Sequence, residues 1–174
     1  MYIVRPVKIE RQSLLQGGRS LTTSRPATSR GHWIFSVNPH HYHWDTLFVK
    51  GKEMWRGVGT RPEALRALKQ VRRGDRVLCY HAAPERALYA IAEVTRDPYP
   101  DPHDAGSKML VADLRAMERL PRQVTLEELR GNPALRKIKL LKNVRLIITP
   151  TTEQEYQEIL RMAGIVAKPG LPLP

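Results

Sequence analysis

Aromatic residues stand near the ends of predicted strands, beside glycines and basic residues. Trp55 lies in a run that contains two glycines, 54–59, and Tyr80 lies at the end of a strand-like segment. Tyr99 lies in the proline-rich segment 97–102. Aromatic faces in such positions can stack on an unpaired nucleic-acid base, and glycines let a flat ligand approach the backbone closely. A tryptophan is more often a core or loop anchor, so it is the glycines around Trp55 that favour a binding role.

The usual sequence signatures of catalysis are absent from the chain. It has no Gly-x-Ser-x-Gly elbow and no phosphate-binding loop, and Gly57 and Gly59 lack the third glycine of a dinucleotide fingerprint. The histidines of segment 39–45 have the residue type of a metal site. Metal ligands usually combine a close pair with a second pair elsewhere, however, and a solvated loop is the stronger interpretation. We expect a protein that is not an enzyme, with no metal and no cofactor.

Positive charge dominates the composition. The 174 residues include 29 Lys and Arg against 17 Asp and Glu, a net charge of +12. Such a bias favours a polyanionic partner, and nucleic acid is the commonest one. Two basic runs are candidate phosphate-binding patches, although either could equally be a solvated surface. The first run contains Arg56, Arg61, Arg66, Lys69, Arg72 and Arg73, and the second contains Arg136, Lys137, Lys139, Lys142 and Arg145.

The two ends differ in composition from the middle. Residues 1–31 form a basic extension that we expect to be flexible, and 165–174 form a proline-rich tail. The single cysteine, Cys79, excludes an internal disulfide and suits a reducing compartment. Apolar runs are too short for a membrane helix. We therefore expect a monomeric cytoplasmic protein that does not bind membranes, associated with the nucleoid if bacterial. The scarcity of acids in the extension also allows an organellar transit peptide.

Between these ends, strand and helix signals alternate. Aromatic and β-branched residues predict strands over 32–37, 76–80, 88–95, 109–117 and 144–149. Capping-box patterns predict helix starts at Thr60, Thr125 and Thr152. Helices dispersed among strands, with too few crossovers for a parallel sheet, predict an α+β domain over 32–164 with a curved sheet or small barrel.

Six sequence blocks, in this order, resemble the EVE domain over about residues 31–164. They are Gly31-His32-Trp33-Ile34-Phe35; Trp55-x-Gly57-Val58; Arg73-Gly74-Asp75-Arg76-Val77-Leu78-Cys79-Tyr80-His81; Ile91-Ala92-Glu93-Val94 with Tyr99-Pro100-Asp101-Pro102; Leu120-Pro121-Arg122-Gln123-Val124-Thr125-Leu126-Glu127-Glu128-Leu129; and Arg145-Leu146-Ile147-Ile148-Thr149-Pro150 ahead of Thr152-Glu153-Gln154-Glu155. Each block alone is weak evidence for the family, whereas six blocks in the same order are strong evidence.

The resemblance implies a PUA-like pseudo-barrel of mixed β-strands with flanking helices and no catalytic machinery. EVE domains are regarded as readers of modified DNA bases such as 5-methylcytosine, which they take out of the helix into an aromatic pocket. By this resemblance Trp55 faces the base and Asn38 lies where related domains read the base edge. The candidate base-binding residues are Ser36, Asn38, Trp55, Val58, Tyr80, His81, Tyr99 and Asp101. The candidate phosphate-binding residues are Arg56, Arg61, Arg73, Lys139 and Lys142.

Three functions stay open on the sequence alone. The leading hypothesis is a non-enzymatic reader of a modified, flipped base in DNA. The second is a PUA-type RNA-binding protein that acts on tRNA or ribosomal RNA. The third is a nuclease or base-modifying enzyme with His81 and Asp101 as acid and base. The chain departs from the common family pattern after Val58 and around Asn38, so the base preference is left open.

Overall fold

A six-stranded mixed sheet forms the centre of the protein. The computed structural model describes residues 29–104, 106 and 108–166. Within them the strand order is β2-β5-β4-β3-β1-β6. The strands are β1 (His32–Val37), β2 (Lys52–Trp55), β3 (Arg76–His81), β4 (Ala87–Pro100), β5 (Leu110–Thr125) and β6 (Ile148–Thr151). Most of the predicted N-terminal extension and of the proline-rich tail lies outside the described residues.

Strand pairing is antiparallel except between β1 and β3, which run parallel. Five α-helices flank the sheet in the described part of the chain, together with a 3₁₀ turn at Pro133–Leu135. They are α1 (Asp45–Lys50), α2 (Pro62–Leu68), α3 (Leu126–Gly131), α4 (Lys139–Lys142) and α5 (Glu153–Met162). The predicted α+β class is confirmed. None of the helices among these residues is long and apolar enough to cross a membrane.

Two of the three predicted capping boxes are confirmed. The Thr125 hydroxyl accepts a hydrogen bond from the Glu128 amide, and Thr152 caps α5 in the same way through Glu155. The prediction at Thr60 is wrong, because α2 begins one residue later, with Arg61 as an N-cap that makes no side-chain cap. Pro62 stands in the first turn, where its missing N–H costs nothing and its fixed φ suits the helix.

Strands β4 and β5 run further than predicted, and they bend. Their pairing shifts register at four places, each of which lets a long strand curve. The proline-rich segment 97–102 belongs to β4 up to Pro100, and Tyr99 pairs with Val111. The last strand was predicted over 144–149 but lies at Ile148–Thr151. Because β6 is at the sheet edge, its Pro150 is tolerated there.

Each face of the sheet carries its own core, as the alternation of strand side chains requires. On β1, Trp33 and Phe35 belong to one core cluster and Ile34 to the other. All three tryptophans, Trp33, Trp44 and Trp55, are buried in the first cluster. The loop 39–45 is therefore only partly solvated, since Trp44 is completely buried.

Candidate functional site

A cavity of about 1200 Å³ opens beside the tryptophan-rich core. Its lining comes from the end of β1 and the following loop, from β2 and the start of α2, from the end of β3, and from segments 82–86 and 143–148. Leu126 and Arg130 of α3 complete the wall. The cavity exceeds the roughly 300–1000 Å³ of common small-molecule pockets, so a whole nucleotide has room in it.

Strand β2 places two cavity-lining side chains on one face. Glu53 and Trp55 are two residues apart, so they point the same way. They stand opposite the buried Leu114 and Ala112 of β5. Of the two residues on the other face of the strand, Met54 lines the cavity and Lys52 does not. The acidic group and the indole therefore share one wall.

Trp55 borders the cavity but is only 3% exposed. Its ring packs on Phe35 at a centroid distance of 4.6 Å and lies nearly parallel to Trp44 at 6.5 Å. Gly57 lies against the same ring, since a Cβ at position 57 would come within 2.2 Å of Trp55 Cζ2. The glycines around Trp55 suggested a binding role, whereas the residue ends β2 with its ring inside this packing. Since so little of the indole is exposed, a base could stack on it only after a neighbouring group moves.

Glu53 supplies a carboxylate to the cavity lining, and its side chain is 19% exposed. The Tyr42 hydroxyl donates to Glu53 Oε2 at 2.6 Å, and Lys50 Nζ donates to Oε1 at 2.5 Å. Burial and the bond to Glu53 raise the pKa of Tyr42 well above its usual value, so the phenol keeps its proton. The two donors fix the direction of the carboxylate.

Asn38 and Ser36 supply further polar groups to the cavity. Asn38 Oδ1 accepts from the His40 amide at 2.9 Å, and the described residues give its Nδ2 no partner. The Ser36 side chain likewise makes no hydrogen bond within the described part of the chain, while its amide donates to the Ile147 carbonyl. Both residues line the cavity, and each side chain keeps an unused donor.

Arginines surround the cavity. Arg56 is held by the buried Asp101, whose Oδ2 accepts from Nε at 2.7 Å and from Nη2 at 2.6 Å. Burial alone would raise the pKa of Asp101, but bonds from the His103 amide and from Arg56 hold that pKa below its usual value. Asp101, which does not line the cavity itself, therefore fixes the orientation of Arg56. The other lining arginines are Arg61, Arg86, Arg130 and Arg145.

His81 lies outside the cavity lining and ties the loop before α1 to the end of β3. It is fully buried, and its Nε2 accepts from the Trp44 amide at 3.2 Å. Its Nδ1 therefore carries the proton and donates to Glu85 Oε2 at 2.5 Å. Burial lowers the pKa of His81, which favours this neutral form. Its contacts explain the position of Trp44.

One donor set among the described residues has metal-ligand chemistry. Ligand atoms of His43, His81 and Glu85 lie within 4.8 Å of one another, and two histidines with a carboxylate suit zinc. Both nitrogens of His81 are already hydrogen-bonded, however, and His43 Nδ1 accepts from the Asp45 amide at 3.2 Å. A metal would have to displace the proton between His81 and Glu85.

The structure brings some of the predicted residues to the cavity and leaves others elsewhere. The base-binding candidates that line it are Ser36, Asn38, Trp55 and Tyr80, and the phosphate-binding candidates that line it are Arg56 and Arg61. The candidates outside its lining are Val58, His81, Tyr99, Asp101, Arg73, Lys139 and Lys142. Val58 is core, and the Tyr99 hydroxyl donates to Asp113 Oδ1 at 2.8 Å.

Sequence reasoning missed Tyr42, Glu53, Arg86 and Arg130, which line the cavity. The signal for Glu53 was its spacing of two residues from Trp55, which places both on one face of a strand. That strand has only four residues, too few for a pattern to stand out. Tyr42 and Arg130 come from other segments and join the cavity only through the fold.

A family model described as EVE domain matches residues 31–162. Among solved structures, a Rhodopseudomonas palustris protein is 32% identical with a TM-score of 0.74, and the match covers 81% of this chain and 98% of that one. An Agrobacterium tumefaciens protein is 31% identical with a TM-score of 0.74, over 82% and 99%. Human THYN1, crystallised with DNA containing 5-methylcytosine, is 21% identical with a TM-score of 0.67, over 76% and 97%. No curated protein matches the chain.

Proposed function

The chain belongs to the EVE domain family, and from this premise we propose that it is a non-catalytic protein that binds nucleic acid and reads a modified base in its cavity. The resemblance seen in the sequence is thereby confirmed, and so is the PUA-like α+β fold. One observation carries the proposal: a cavity large enough for a nucleotide is lined by aromatic, polar and arginine side chains together.

The arginine rim supports a polyanionic ligand. Arg56, Arg61 and Arg145 are exposed beside the cavity, so a phosphate backbone crossing the opening would meet several guanidinium groups. Contacts of this kind supply most of the affinity of sequence-independent binding. Asp101 holds Arg56 in place, which reduces the conformational freedom that this side chain would lose on binding.

The cavity interior supports a base as the group that enters. Extrusion of a base from a duplex costs a few kcal/mol, which stacking and edge hydrogen bonds must offset. Tyr80 and Trp55 give the apolar wall, and Glu53, Asn38 and Ser36 give acceptors and donors. Burial of one methyl group contributes about 0.8 kcal/mol, so we expect about a fourfold preference for a methylated base over the plain one.

Human THYN1 supplies the analogy for the modified base. That protein was crystallised with DNA that contains 5-methylcytosine, and its fold matches this chain with a TM-score of 0.67. The same architecture can therefore bind DNA that contains a modified base. For this chain we propose 5-methylcytosine-type bases as the ligand class.

The acid–base hypothesis for His81 and Asp101 gains no support from the geometry. Both side chains are buried, and each is engaged by other partners, His81 by Glu85 and Asp101 by Arg56. Neither lines the cavity. We therefore propose a binding role and no hydrolysis.

Fluorescence anisotropy with labelled duplexes tests the proposal. One duplex carries a single 5-methylcytosine and its match carries cytosine, each titrated over a series of salt concentrations. We expect the methylated duplex to bind about four times more tightly. Arg61→Ala should weaken binding to both and reduce the salt slope by about 1.

Arg115→Ala is the matched control, because Arg115 is exposed but does not line the cavity. Equal affinity for the two duplexes, or equal losses in the two variants, would contradict the proposed site. An RNA hairpin of equal length is the third ligand. Tighter binding to that hairpin would assign the cavity to RNA instead of DNA.

A further inference from the structure

We propose that the Tyr80 hydroxyl, Arg86 and Arg130 form a phosphate subsite of the cavity, which takes a phosphodiester next to the nucleotide whose base enters. All three residues line the cavity. This inference rests on the proposed function, since it concerns the same ligand. It adds a second place of phosphate contact to the one that Arg56 and Arg61 supply.

Tyr80 brings an unused hydroxyl to the cavity lining. The residue is only 1% exposed, and it packs in the same core cluster as Ile34. Its hydroxyl makes no hydrogen bond within the described part of the chain. The oxygen is not closed off in the core either, because the buried side-chain atoms without a partner among these residues are Arg76 Nε, Thr149 Oγ1 and Thr151 Oγ1. The hydroxyl is therefore a free donor beside the cavity.

Arg86 extends from a fixed backbone position just before β4. Its amide donates to the Ala82 carbonyl at 3.1 Å, and its carbonyl accepts from the Leu126 amide at 2.8 Å. Its φ is 49°, in the left-handed region that disfavours residues with a Cβ. Strained backbone of this kind is concentrated at binding and catalytic sites. The side chain is exposed, and it has no hydrogen-bond or ion-pair partner among the residues that the structure describes.

Arg130 comes from α3, which the bond from Leu126 ties to Arg86. Leu126 opens the helix and Arg130 lies four residues further on, so both share one helix face, and both line the cavity. The Arg130 side chain is exposed and makes no ion pair within the described ranges, although Glu127 lies one turn earlier. The backbone contact and the helix face thus bring Arg86 and Arg130 to the same part of the cavity.

The two guanidinium groups act on the same phenol. Burial raises the pKa of Tyr80, and the charges of Arg86 and Arg130 oppose that rise. The effect of a charge weakens with distance, so both arginines lie in the neighbourhood of the hydroxyl. Because no partner in the described part of the chain holds either side chain, both can turn towards one anion there.

A phosphate suits this set of groups. Guanidinium groups offer donors only, carry a permanent positive charge and bind phosphate oxygens in pairs, and the hydroxyl adds one more donor. The same cavity carries the groups that would meet the base, so the phosphate within reach belongs to that nucleotide or to its neighbour.

A scan with methylphosphonates tests the subsite. In a duplex with one 5-methylcytosine, each phosphodiester around that nucleotide is replaced in turn by a methylphosphonate, which has a similar size and no charge. We expect one replacement, adjacent to the methylated nucleotide, to weaken binding to the parent protein at least about tenfold, the size of a hydrogen bond to a charged group. Fluorescence anisotropy measures each affinity.

Three variants remove one group each and suit the local backbone. Arg86→Asn introduces a residue that tolerates a positive φ, Arg130→Gln keeps a good helix former, and Tyr80→Phe keeps the ring. In each arginine variant the penalty at the sensitive phosphate should fall from about tenfold to about threefold, since one guanidinium group remains. In Tyr80→Phe it should fall part of the way, and stability in urea should equal that of the parent because the oxygen has no protein partner in the described part of the chain.

Arg66→Gln is the matched control. Arg66 is exposed on α2 and does not line the cavity, and the substitution is the same as at Arg130. It should leave the penalty at the sensitive phosphate unchanged. Arg61→Ala removes a lining arginine outside the subsite, so it should weaken overall binding and keep the penalty at that phosphate.

The outcomes separate the subsite from the proposed function. Suppose that the parent prefers the methylated duplex but the three variants keep the full penalty, or change it at different phosphates. The subsite is then overturned and the reader stands. Free phosphate is the other source of the same chemistry. If the Nε–H resonances of Arg86 and Arg130 move with inorganic phosphate but not with the duplex, the backbone contact is overturned. Equal binding of methylated and plain duplexes by the parent would contradict the proposed function itself.

Discussion

Gly57 is the position where the addition of a single methyl group tests the packing of the cavity wall. The Cβ of an alanine there would lie 2.2 Å from Cζ2 and 2.5 Å from Cε2 of Trp55. Carbon atoms in contact stay about 3.5–4.0 Å apart, so the overlap with the ring exceeds 1 Å by a rough count. The indole cannot retreat freely, because Phe35 and Trp44 pack against it.

We expect Gly57→Ala to lower the free energy of unfolding by about 1–3 kcal/mol, the usual cost of overpacking. The cost comes from the ring, since Gly57 does not have a positive φ and an alanine fits its backbone. Equilibrium unfolding in urea measures the loss, and the near-ultraviolet circular dichroism of the native protein reports whether Trp55 has moved.

Gly131→Ala is the control that makes the same chemical change. Gly131 ends α3 without a positive φ, and a Cβ there meets nothing within 4 Å. The free energy of unfolding of that variant should rise by about 0.4–1 kcal/mol, because alanine loses less backbone conformational entropy on folding than glycine does. If Gly57→Ala is as stable as the parent and has an unchanged spectrum, then the Trp55 ring is not closely packed against position 57.

Three further predictions concern caps and charges. Thr152→Ala removes the cap of α5 and should lower the free energy of unfolding, measured in urea, by about 1 kcal/mol. Thr60→Ala should leave it unchanged, because the N-cap of α2 is Arg61. The bonds from Arg161 and Asn132 lower the pKa of Glu158 to about 2, so its contribution is present above the unfolded pKa of about 4.5 and disappears as the pH falls through about 2. The free energy of unfolding of Glu158→Gln should therefore be about 1 kcal/mol below that of the parent at pH 7 and equal to it near pH 2. Thermal unfolding of both proteins over this pH range measures the difference, and a difference that does not shrink on acidification would refute the prediction. Burial lowers the pKa of His81 below 6.5, so the contribution of neutral His81 to stability is full above pH 6.5 and is lost on acidification. Between pH 7 and 5 the free energy of unfolding should therefore fall less in His81→Asn than in the parent. Parallel plots of stability against pH for the two proteins would contradict this.

Local signals in the sequence predicted the elements that depend on local chemistry. Strand β1 occupies the predicted residues 32–37, because its aromatic and β-branched residues stop at Asn38-Pro39. The caps at Thr125 and Thr152 form because side chain and backbone lie three residues apart. The pattern at Thr60 has the same letters, but Pro62 starts the helix one residue further on.

The cavity could be predicted only in part, because its walls come from segments far apart in the chain. The end of a predicted strand pointed to Tyr80 and the family resemblance to Ser36, and both residues line the cavity. The bond between Tyr42 and Glu53, in contrast, requires a loop and a strand to meet across the fold. The burial of Trp55 likewise depends on its contacts with other segments of the fold, which spacing cannot encode.

Photocrosslinking tests most directly whether a base enters this cavity. A duplex carries 5-iodocytosine at the position read, is irradiated in complex with the protein, and the crosslinked peptide is identified by mass spectrometry. We predict attachment to an aromatic residue of the cavity wall, Tyr42, Trp55 or Tyr80, and loss of that product when an excess of unlabelled 5-methylcytosine duplex competes. Attachment only to residues outside the cavity would contradict the entry of the base into it.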